Sequence, residues 1–291
     1  GIVSLYPVLN WIPKALKDHE DTKAVLAQQG SGWISPETFA VIKKVVTDTA
    51  DASDGKKDGL IADPYAADAK LPEINQRLKD KLTPQQAAVW NQFLADKKFT
   101  PETLADPQVP VIPGYSVSQL LIDEDMNQFG SAPGKRDGMM MQFSDNVIKY
   151  QIMQDGNFDP DQLDEHRDHA NIAKAAALLD ATSPDLRAFA KHGGKMIILH
   201  GTADQLVAVK GTVDYIKNLH HFMGDKAASD LYRFYLAPGY GHGSGSLFTI
   251  SRDLLKDLDQ WVTKNKAPEA LTVNNQNNLQ ESQVLVPQTL K

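Results

Sequence analysis

The chain has 291 residues, of which 42% are hydrophobic and 23% charged, and its net charge is −7. These values are ordinary for a soluble globular protein of one large or two smaller domains, and the acidic balance argues against a polyanion-binding surface. No uncharged apolar run approaches the roughly 18 residues needed to span a bilayer. The chain has no cysteine, which excludes disulfides, thiolate metal sites and cysteine nucleophiles but leaves the cellular compartment open.

The first eleven residues, GIVSLYPVLNW, predict a core strand that runs into a turn containing a proline. Because the chain opens inside this strand at Gly1, we expect that part of the protein precedes it, together with any signal peptide. Residues 13–50 then favour helix, because apolar residues recur at near-helical spacing after the start signal Ser35-Pro36-Glu37.

An aspartate-rich loop, DASDGKKDGLIADP, begins at Asp51. Asp51, Asp54 and Asp58 are spaced three and four residues apart, and carboxylates this close repel one another unless a cation lies among them. Oxygen ligands favour calcium, although the spacing is not that of an EF-hand. The alternative is a solvated turn of good turn formers, in which Lys56 and Lys57 neutralise the charge. The residues alone leave both interpretations open.

From residue 65 to 150 the sequence is rich in loops, apart from a helix predicted over Thr83–Ala95. A run of methionines, Met139 to Met141, lies near Phe143. Methionine usually fills gaps in a core, so this interpretation is favoured over a substrate-binding wall. Residues 168–192 predict a helix-rich segment.

The last third of the chain alternates strands with helices. The apolar runs predict a strand at 195–200, a helix at 209–223, a strand at 231–237 and a helix at 249–264. Such alternation is typical of a parallel sheet with helices packed on its faces, so the predicted fold class is α/β. The polar tail after Pro268 predicts a loosely held extension.

An acid and a base follow these two predicted strands. Asp204 comes just past the first strand and His242 just past the second, at the carboxyl ends where open α/β sheets bind ligands. Acid before histidine is the chain order of the α/β-hydrolase triad, in which the acid orients the imidazole. The alternative is that Asp204 caps the helix that follows it and His242 is a polar loop residue.

The nucleophile of such a triad lies in a G-x-S-x-G turn upstream of the acid, and this motif is absent from the 291 residues. We therefore expect the serine to lie outside the chain. His200, four residues before Asp204, is expected to be a hydrogen-bonded histidine at a strand end rather than a catalytic one. His220 is expected to be solvated on its helix.

Four stretches resemble the tannase and feruloyl esterase family of secreted α/β-hydrolases: LRAFAKHGGKMIILHGTADQLV, FYLAPGYGHGSG, DLDQWVTKNKAPEAL and DASDGKKDGLIADP. The resemblance extends to about residue 272. It implies the C-terminal part of an α/β-hydrolase core with a large inserted, loop-rich lid domain. The implied parts are a core strand (1–11), the lid (12–170), the core (171–272) and a C-terminal extension (273–291).

The same resemblance implies roles for individual residues. Asp204 and His242 would be the acid and base of a Ser-His-Asp triad. A structural calcium ion in lid loop 51–60 would be bound by five residues, through the side chains of Asp51, Asp54 and Asp58 and the backbone carbonyls of Lys56 and Leu60.

The resemblance further implies a secreted or periplasmic esterase for small aromatic esters of the hydroxycinnamoyl or galloyl type. Its partners would be the substrate and an N-terminal segment or chain that carries the nucleophile, with no nucleic acid and no membrane. Cleavage of peptides or lipid esters is a weaker alternative. A non-catalytic fragment or subunit, which completes the fold with an N-terminal partner, is the alternative from another functional class.

The chain departs from the family pattern in two places. Many members carry one cysteine beside the serine and another directly after the histidine, and these two cysteines are bridged. Here Gly243 follows His242, so the histidine loop must be held by other contacts. The cysteine-bearing C-terminal end of the family is replaced by VLVPQTLK, which leaves the subfamily and the substrate open.

Overall fold

A computed structural model describes residues 1–121, 129–243 and 247–290. Within these residues the strands are β1 (Ile2–Leu5), β2 (Lys97–Lys98), β3 (Val111–Ile112), β4 (Met196–Gly201), β5 (Tyr232–Ala237), β6 (Ile250–Ser251), β7 (Leu271–Asn275) and β8 (Ser282–Leu285). The α-helices are α1 (Trp11–Gly30), α2 (Pro36–Ala50), α3 (Pro64–Asp68), α4 (Leu71–Leu78), α5 (Pro84–Leu94), α6 (Met139–Asn146), α7 (His169–Leu179), α8 (Arg187–Lys191), α9 (Val209–Met223), α10 (Asp225–Ser229) and α11 (Leu254–Lys264). In the described part of the chain, no helix is both long enough and apolar enough to cross a membrane.

The central sheet is parallel and has the strand order β1-β4-β5. Strand β4 is buried along its whole length because helices cover both faces. Ile197 packs on the side of Trp261 in α11, whereas Ile198 packs on the side of Ile216 in α9. Alternate side chains of a strand point to opposite faces, which accounts for this division. The predicted parallel sheet with helices on its faces is therefore confirmed.

The helix prediction over 13–50 is only partly right, because two helices occupy it. Helix α1 loses helical backbone angles at Ala27, Gln28 and Gln29, and the chain then passes through Gly30-Ser31-Gly32. Helix α2 begins where its start signal predicts, with the Ser35 side chain accepting a hydrogen bond from the Thr38 backbone N–H. The predicted helix at Thr83–Ala95 is confirmed as α5, and a capping box at Thr83 fixes its start.

Two predictions near the C-terminus are wrong. The helix predicted from residue 249 begins only at Leu254, because Asp253 caps it and Ile250 pairs with Asn275 as part of β6. The tail is not loosely held over its described residues, since β7 and β8 extend the β6 strand into an antiparallel sheet. Alternate residues of β7, Leu271 and Val273, are fully buried against the core. Burial of these two apolar side chains holds the segment in place although most of its other residues are polar.

The segment between β1 and β4 forms hydrophobic clusters of its own. One cluster joins α2, α4, α5 and α6, and another joins α1 to α7. Helix α7 contains residue 170, the predicted end of the lid, and its Ile172 belongs to the same cluster as Leu16 of α1; the domain division itself stays a prediction. Met140 and Met141 are buried in the first cluster, whereas Met139 is 41% exposed, so the interpretation as core residues holds for two of the three methionines.

Candidate active site

The turns that follow β4 and β5 lie against each other at the carboxyl end of the sheet. Gly201 and Ala237, the last residues of the two strands, are paired. The carbonyl oxygen of Tyr240 lies 1.8 Å from the position that a Cβ on Gly201 would occupy, so only glycine permits this approach. The same oxygen accepts a hydrogen bond from the Ala203 backbone N–H at 3.2 Å. The turns that carry Asp204 and His242 are therefore brought together because their strands are neighbours and because Gly201 allows the close approach.

Asp204 and His242 are hydrogen-bonded. The distance from Nδ1 of the imidazole is 3.0 Å to Oδ2 of Asp204 and 3.2 Å to Oδ1. The carboxylate is fully buried, whereas the His242 side chain retains 25% exposure. With Nδ1–H donating to the carboxylate, Nε2 is the ring nitrogen that can accept a proton. The arrangement is suited to general base catalysis.

The same carboxylate also orders its own turn. Oδ1 of Asp204 accepts the backbone N–H groups of Leu206 and Val207, both at 2.9 Å. The cap residue of α9 is Ala208, so the alternative in which Asp204 caps that helix is wrong. Burial raises the pKa of Asp204, but hydrogen bonds from His200 and His242 outweigh this effect and lower the pKa to about 2. The acid is therefore ionised at neutral pH.

His200 and His220 are both buried and hydrogen-bonded. The Nδ1 of His200 lies 2.8 Å from the Thr212 hydroxyl, and its Nε2 lies 3.2 Å from the Val207 carbonyl and 3.4 Å from Oδ2 of Asp204. The expectation that His200 is a hydrogen-bonded histidine at a strand end is therefore confirmed. His220 is not solvated, because its ring contacts the hydroxyl of Tyr232 at 2.7 Å. This contact joins α9 to Tyr232 of β5, and local sequence does not reveal it.

Three lid residues support the acid turn, and the sequence does not single them out. The Gln119 side-chain amide donates to the carbonyls of Asp204 at 2.6 Å and Val207 at 2.7 Å. The Tyr115 hydroxyl donates to the Leu206 carbonyl at 2.9 Å, and the Ser118 hydroxyl donates to the carbonyl of Thr202. These contacts join residues more than eighty positions apart, so no local spacing predicts them. The lid therefore fixes the turn that carries the acid.

The aspartate loop has oxygen donors but is closed by its own backbone. The Asp51 carboxylate accepts the Gly59 N–H at 2.9 Å, Asp54 accepts the Lys56 N–H at 2.9 Å, and Asp58 accepts the Leu60 N–H at 3.0 Å. None of the ion pairs within residues 1–121, 129–243 and 247–290 involves these carboxylates.

These donor types fit calcium. In the described residues, however, no group of three or more His, Cys, Asp or Glu side chains is arranged to hold a metal ion. A carboxylate can accept a backbone N–H and bind a cation at the same time, so these hydrogen bonds do not decide the matter and the calcium site stays a prediction.

The end of this loop contacts the histidine turn. The carbonyl of Ile61 accepts a hydrogen bond from the Thr202 hydroxyl at 2.6 Å, and the same hydroxyl accepts from the Gly239 N–H at 3.1 Å. A Cβ on Gly239 would lie 2.5 Å from the side chain of Leu60. The end of the aspartate loop therefore contacts the turn that leads to His242 directly, so the conformation of one affects that of the other.

Known proteins resemble nearly the whole chain. A family model described as tannase and feruloyl esterase matches residues 1–289. An uncharacterized esterase of Agrobacterium fabrum is 27% identical over 290 residues, which cover 92% of this chain and 51% of that protein. A probable feruloyl esterase B-2 of Aspergillus terreus is 26% identical over 259 residues, which cover 82% of this chain and 46% of that protein. The chain thus spans about half the length of the curated relatives it matches.

A solved structure shares the fold. The crystal structure of feruloyl esterase B from Aspergillus oryzae matches with a TM-score of 0.79 at 18% identity, covering 99% of this chain and 59% of that chain. At this identity the likeness concerns the fold alone. Together with the parallel sheet and its helices, it confirms the predicted fold class, an α/β-hydrolase core with a large inserted lid.

Proposed function

The chain belongs to the tannase and feruloyl esterase family, and we propose that it forms the acid- and histidine-bearing part of an esterase for small aromatic esters. The observation that carries this proposal is the hydrogen bond of 3.0 Å between Nδ1 of His242 and the buried carboxylate of Asp204. The proposed substrates are hydroxycinnamoyl or galloyl esters, as the resemblance implies. We also propose that the protein acts outside the cytoplasm, in a secreted or periplasmic location.

The proposed chemistry is acyl transfer through a serine. The serine oxygen attacks the acyl carbon while Nε2 of His242 takes its proton, and the imidazolium then returns that proton to the departing alcohol oxygen. Water repeats the sequence on the acyl-enzyme and releases the acid. Asp204 keeps the imidazole in the required tautomer and stabilises the imidazolium with its negative charge.

The serine is proposed to lie on a segment or chain that pairs with β1. None of the 291 residues forms a G-x-S-x-G turn. Within the described residues β1 pairs with β4 alone, and Ile2 and Leu5 are 46% and 38% exposed. A parallel strand added at this edge would cover both side chains and present its own carboxyl end beside His242.

A panel of esters tests the proposed function. We expect kcat/KM for methyl ferulate or methyl gallate to exceed that for a short aliphatic ester by about tenfold or more, the size of a modest binding difference. The 291-residue chain alone is expected to give no turnover above background. Comparable rates on aliphatic, lipid and aromatic esters would contradict the aromatic specificity, and robust turnover by the chain alone would contradict the external serine.

The missing elbow favours one alternative, a non-catalytic subunit that completes an α/β-hydrolase fold. A fluorophosphonate probe separates the two functions. The esterase assignment requires covalent labelling of one serine in the assembled protein, competed by aromatic ester. Assembly without labelling and without turnover would identify the non-catalytic subunit.

We further propose that calcium binds loop 51–60 through the side chains of Asp51, Asp54 and Asp58 and the carbonyls of Lys56 and Leu60. Chelation is then expected to lower the Tm by roughly 5 °C, because a ligand at a hundred times its Kd stabilises the folded state by about 2.7 kcal/mol. Thermal melts with EGTA, and with calcium restored, measure this shift.

Matched variants make the calcium test specific. Asp54→Asn and Asp58→Asn are expected to abolish the calcium-dependent shift. Asp63→Asn is expected to retain it, since Asp63 lies outside the proposed ligands and caps α3. An unchanged Tm with and without calcium in the parent chain would leave the loop as a turn only.

A further inference from the structure

The ring of Tyr6 packs on the imidazole of His242. The two ring centroids lie 4.2 Å apart with 46° between the planes. The centroid of the Tyr240 ring lies 6.1 Å from that of Tyr6, and Tyr6 is partly buried against the core cluster that includes Tyr240. One residue at the end of β1 therefore connects the histidine to the packed interior.

The backbone of Tyr6 is held in an unusual conformation. Its φ is +41°, in the left-handed region, which is unfavourable for a non-glycine residue. Its N–H continues the sheet pairing by donating to the Leu199 carbonyl at 2.7 Å. Strain of this kind persists when surrounding contacts over-determine the conformation, and here those contacts include the imidazole.

Gly243 provides the space that Tyr6 occupies. A Cβ on Gly243 would lie 2.8 Å from the Tyr6 hydroxyl oxygen and 3.4 Å from the ring carbon that bears it. The φ of Gly243 is +90°, which also favours glycine. A larger residue directly after the histidine would therefore displace the tyrosine or the loop. Tyr6 and Gly243 form a matched pair.

We propose that Tyr6 is a positioning residue that holds the His242 loop in this chain, where no disulfide can do so. The tyrosine ring packs on one face of the imidazole and restricts rotation about the His242 side-chain torsions. The Nδ1–H therefore stays hydrogen-bonded to Asp204, and Nε2 stays directed towards the reacting groups. The same face stabilises the imidazolium that forms during acyl transfer through a cation–π interaction. The role in turnover rests on the proposed function, whereas the restraint on His242 does not.

The restraint is tested by NMR on the 291-residue chain with labelled histidine, which requires no activity. In the parent chain the Tyr6 ring current shifts the His242 carbon-bound ring protons, and the Nδ1–H gives a slowly exchanging signal. Tyr6→Leu should abolish the ring-current shift and broaden the Nδ1–H signal, whereas Tyr6→Phe should retain both. Tyr150→Leu, at a position 61% exposed, should change neither. Parent-like His242 signals in Tyr6→Leu would overturn the proposal.

A second set of variants tests the match between Tyr6 and Gly243. This test remains available even if Tyr6→Leu fails to fold. Gly243→Ala should disturb the His242 signals, and the Tyr6→Phe/Gly243→Ala double variant should recover part of them, because the hydroxyl is the nearest obstructing atom. Purely additive effects of the two substitutions would overturn the pairing.

In the ester-hydrolysing protein, Tyr6→Leu should lower kcat about 10- to 100-fold, as small misplacements of a catalytic group do, with KM within about twofold. An unchanged kcat despite altered His242 signals would overturn the role in turnover. If the protein hydrolyses no ester, the esterase proposal fails and the NMR result still decides the restraint.

Discussion

Replacing His242 by alanine is expected to lower kcat on the best aromatic ester by about 10,000-fold or more, with KM changed little. The imidazole is proposed to take the proton from the serine and return it to the leaving alcohol, and alanine can do neither. Its loss therefore removes an interaction made in the transition state rather than in substrate binding. Steady-state kinetics with the assembled enzyme measure both constants.

The control for this variant is His221→Ala. His221 is exposed on α9, and its replacement is expected to leave kcat and KM unchanged. The His242→Ala variant should remain folded but with a lower Tm, because it leaves the buried carboxylate of Asp204 without one donor and removes a ring that packs on Tyr6. Activity of His242→Ala within tenfold of the parent would remove this histidine from the mechanism.

The sequence predicted the elements whose signals are local. Helix α5 follows from Thr83 and its capping box, and β4 and α9 follow from apolar periods confined to each element. The errors occur where strand pairing between residues far apart in the sequence decides the secondary structure. Ile250 fits the apolar stripe of α11, yet it pairs with Asn275. Sheet pairing is a tertiary contact, and it overrides local helical period.

The two candidate site residues could be placed together from topology. Neighbouring parallel strands end at one edge of the sheet, so the residues that follow β4 and β5 must be close. The close approach of the Tyr240 carbonyl to Gly201 could not be predicted, because glycine has many local uses. Tyr6 and Gln119 carry no pattern that marks them, since their roles arise only from contacts with turns far along the chain.

Replacing Asp204 by asparagine is expected to lower kcat by about 10,000-fold while the fold is retained. Asparagine keeps Oδ1, which can still accept the N–H groups of Leu206 and Val207 that order the turn. Its amide nitrogen, however, replaces the oxygen that lies 3.0 Å from Nδ1 of His242. An amide donor there favours the imidazole tautomer with its proton on Nε2, which cannot take a proton from the serine.

This variant separates the two tasks of the buried acid. Asp253→Asn is the matched control, because Asp253 caps α11 through the Lys256 N–H and asparagine is an equally good cap. We expect Asp253→Asn to leave kcat and Tm close to the parent values. If Asp204→Asn also kept kcat within about tenfold, the carboxylate would serve the turn alone. A large fall in kcat at nearly constant Tm would show that catalysis needs the negative charge of the carboxylate. That charge is needed only if an imidazolium forms during turnover and must be stabilised.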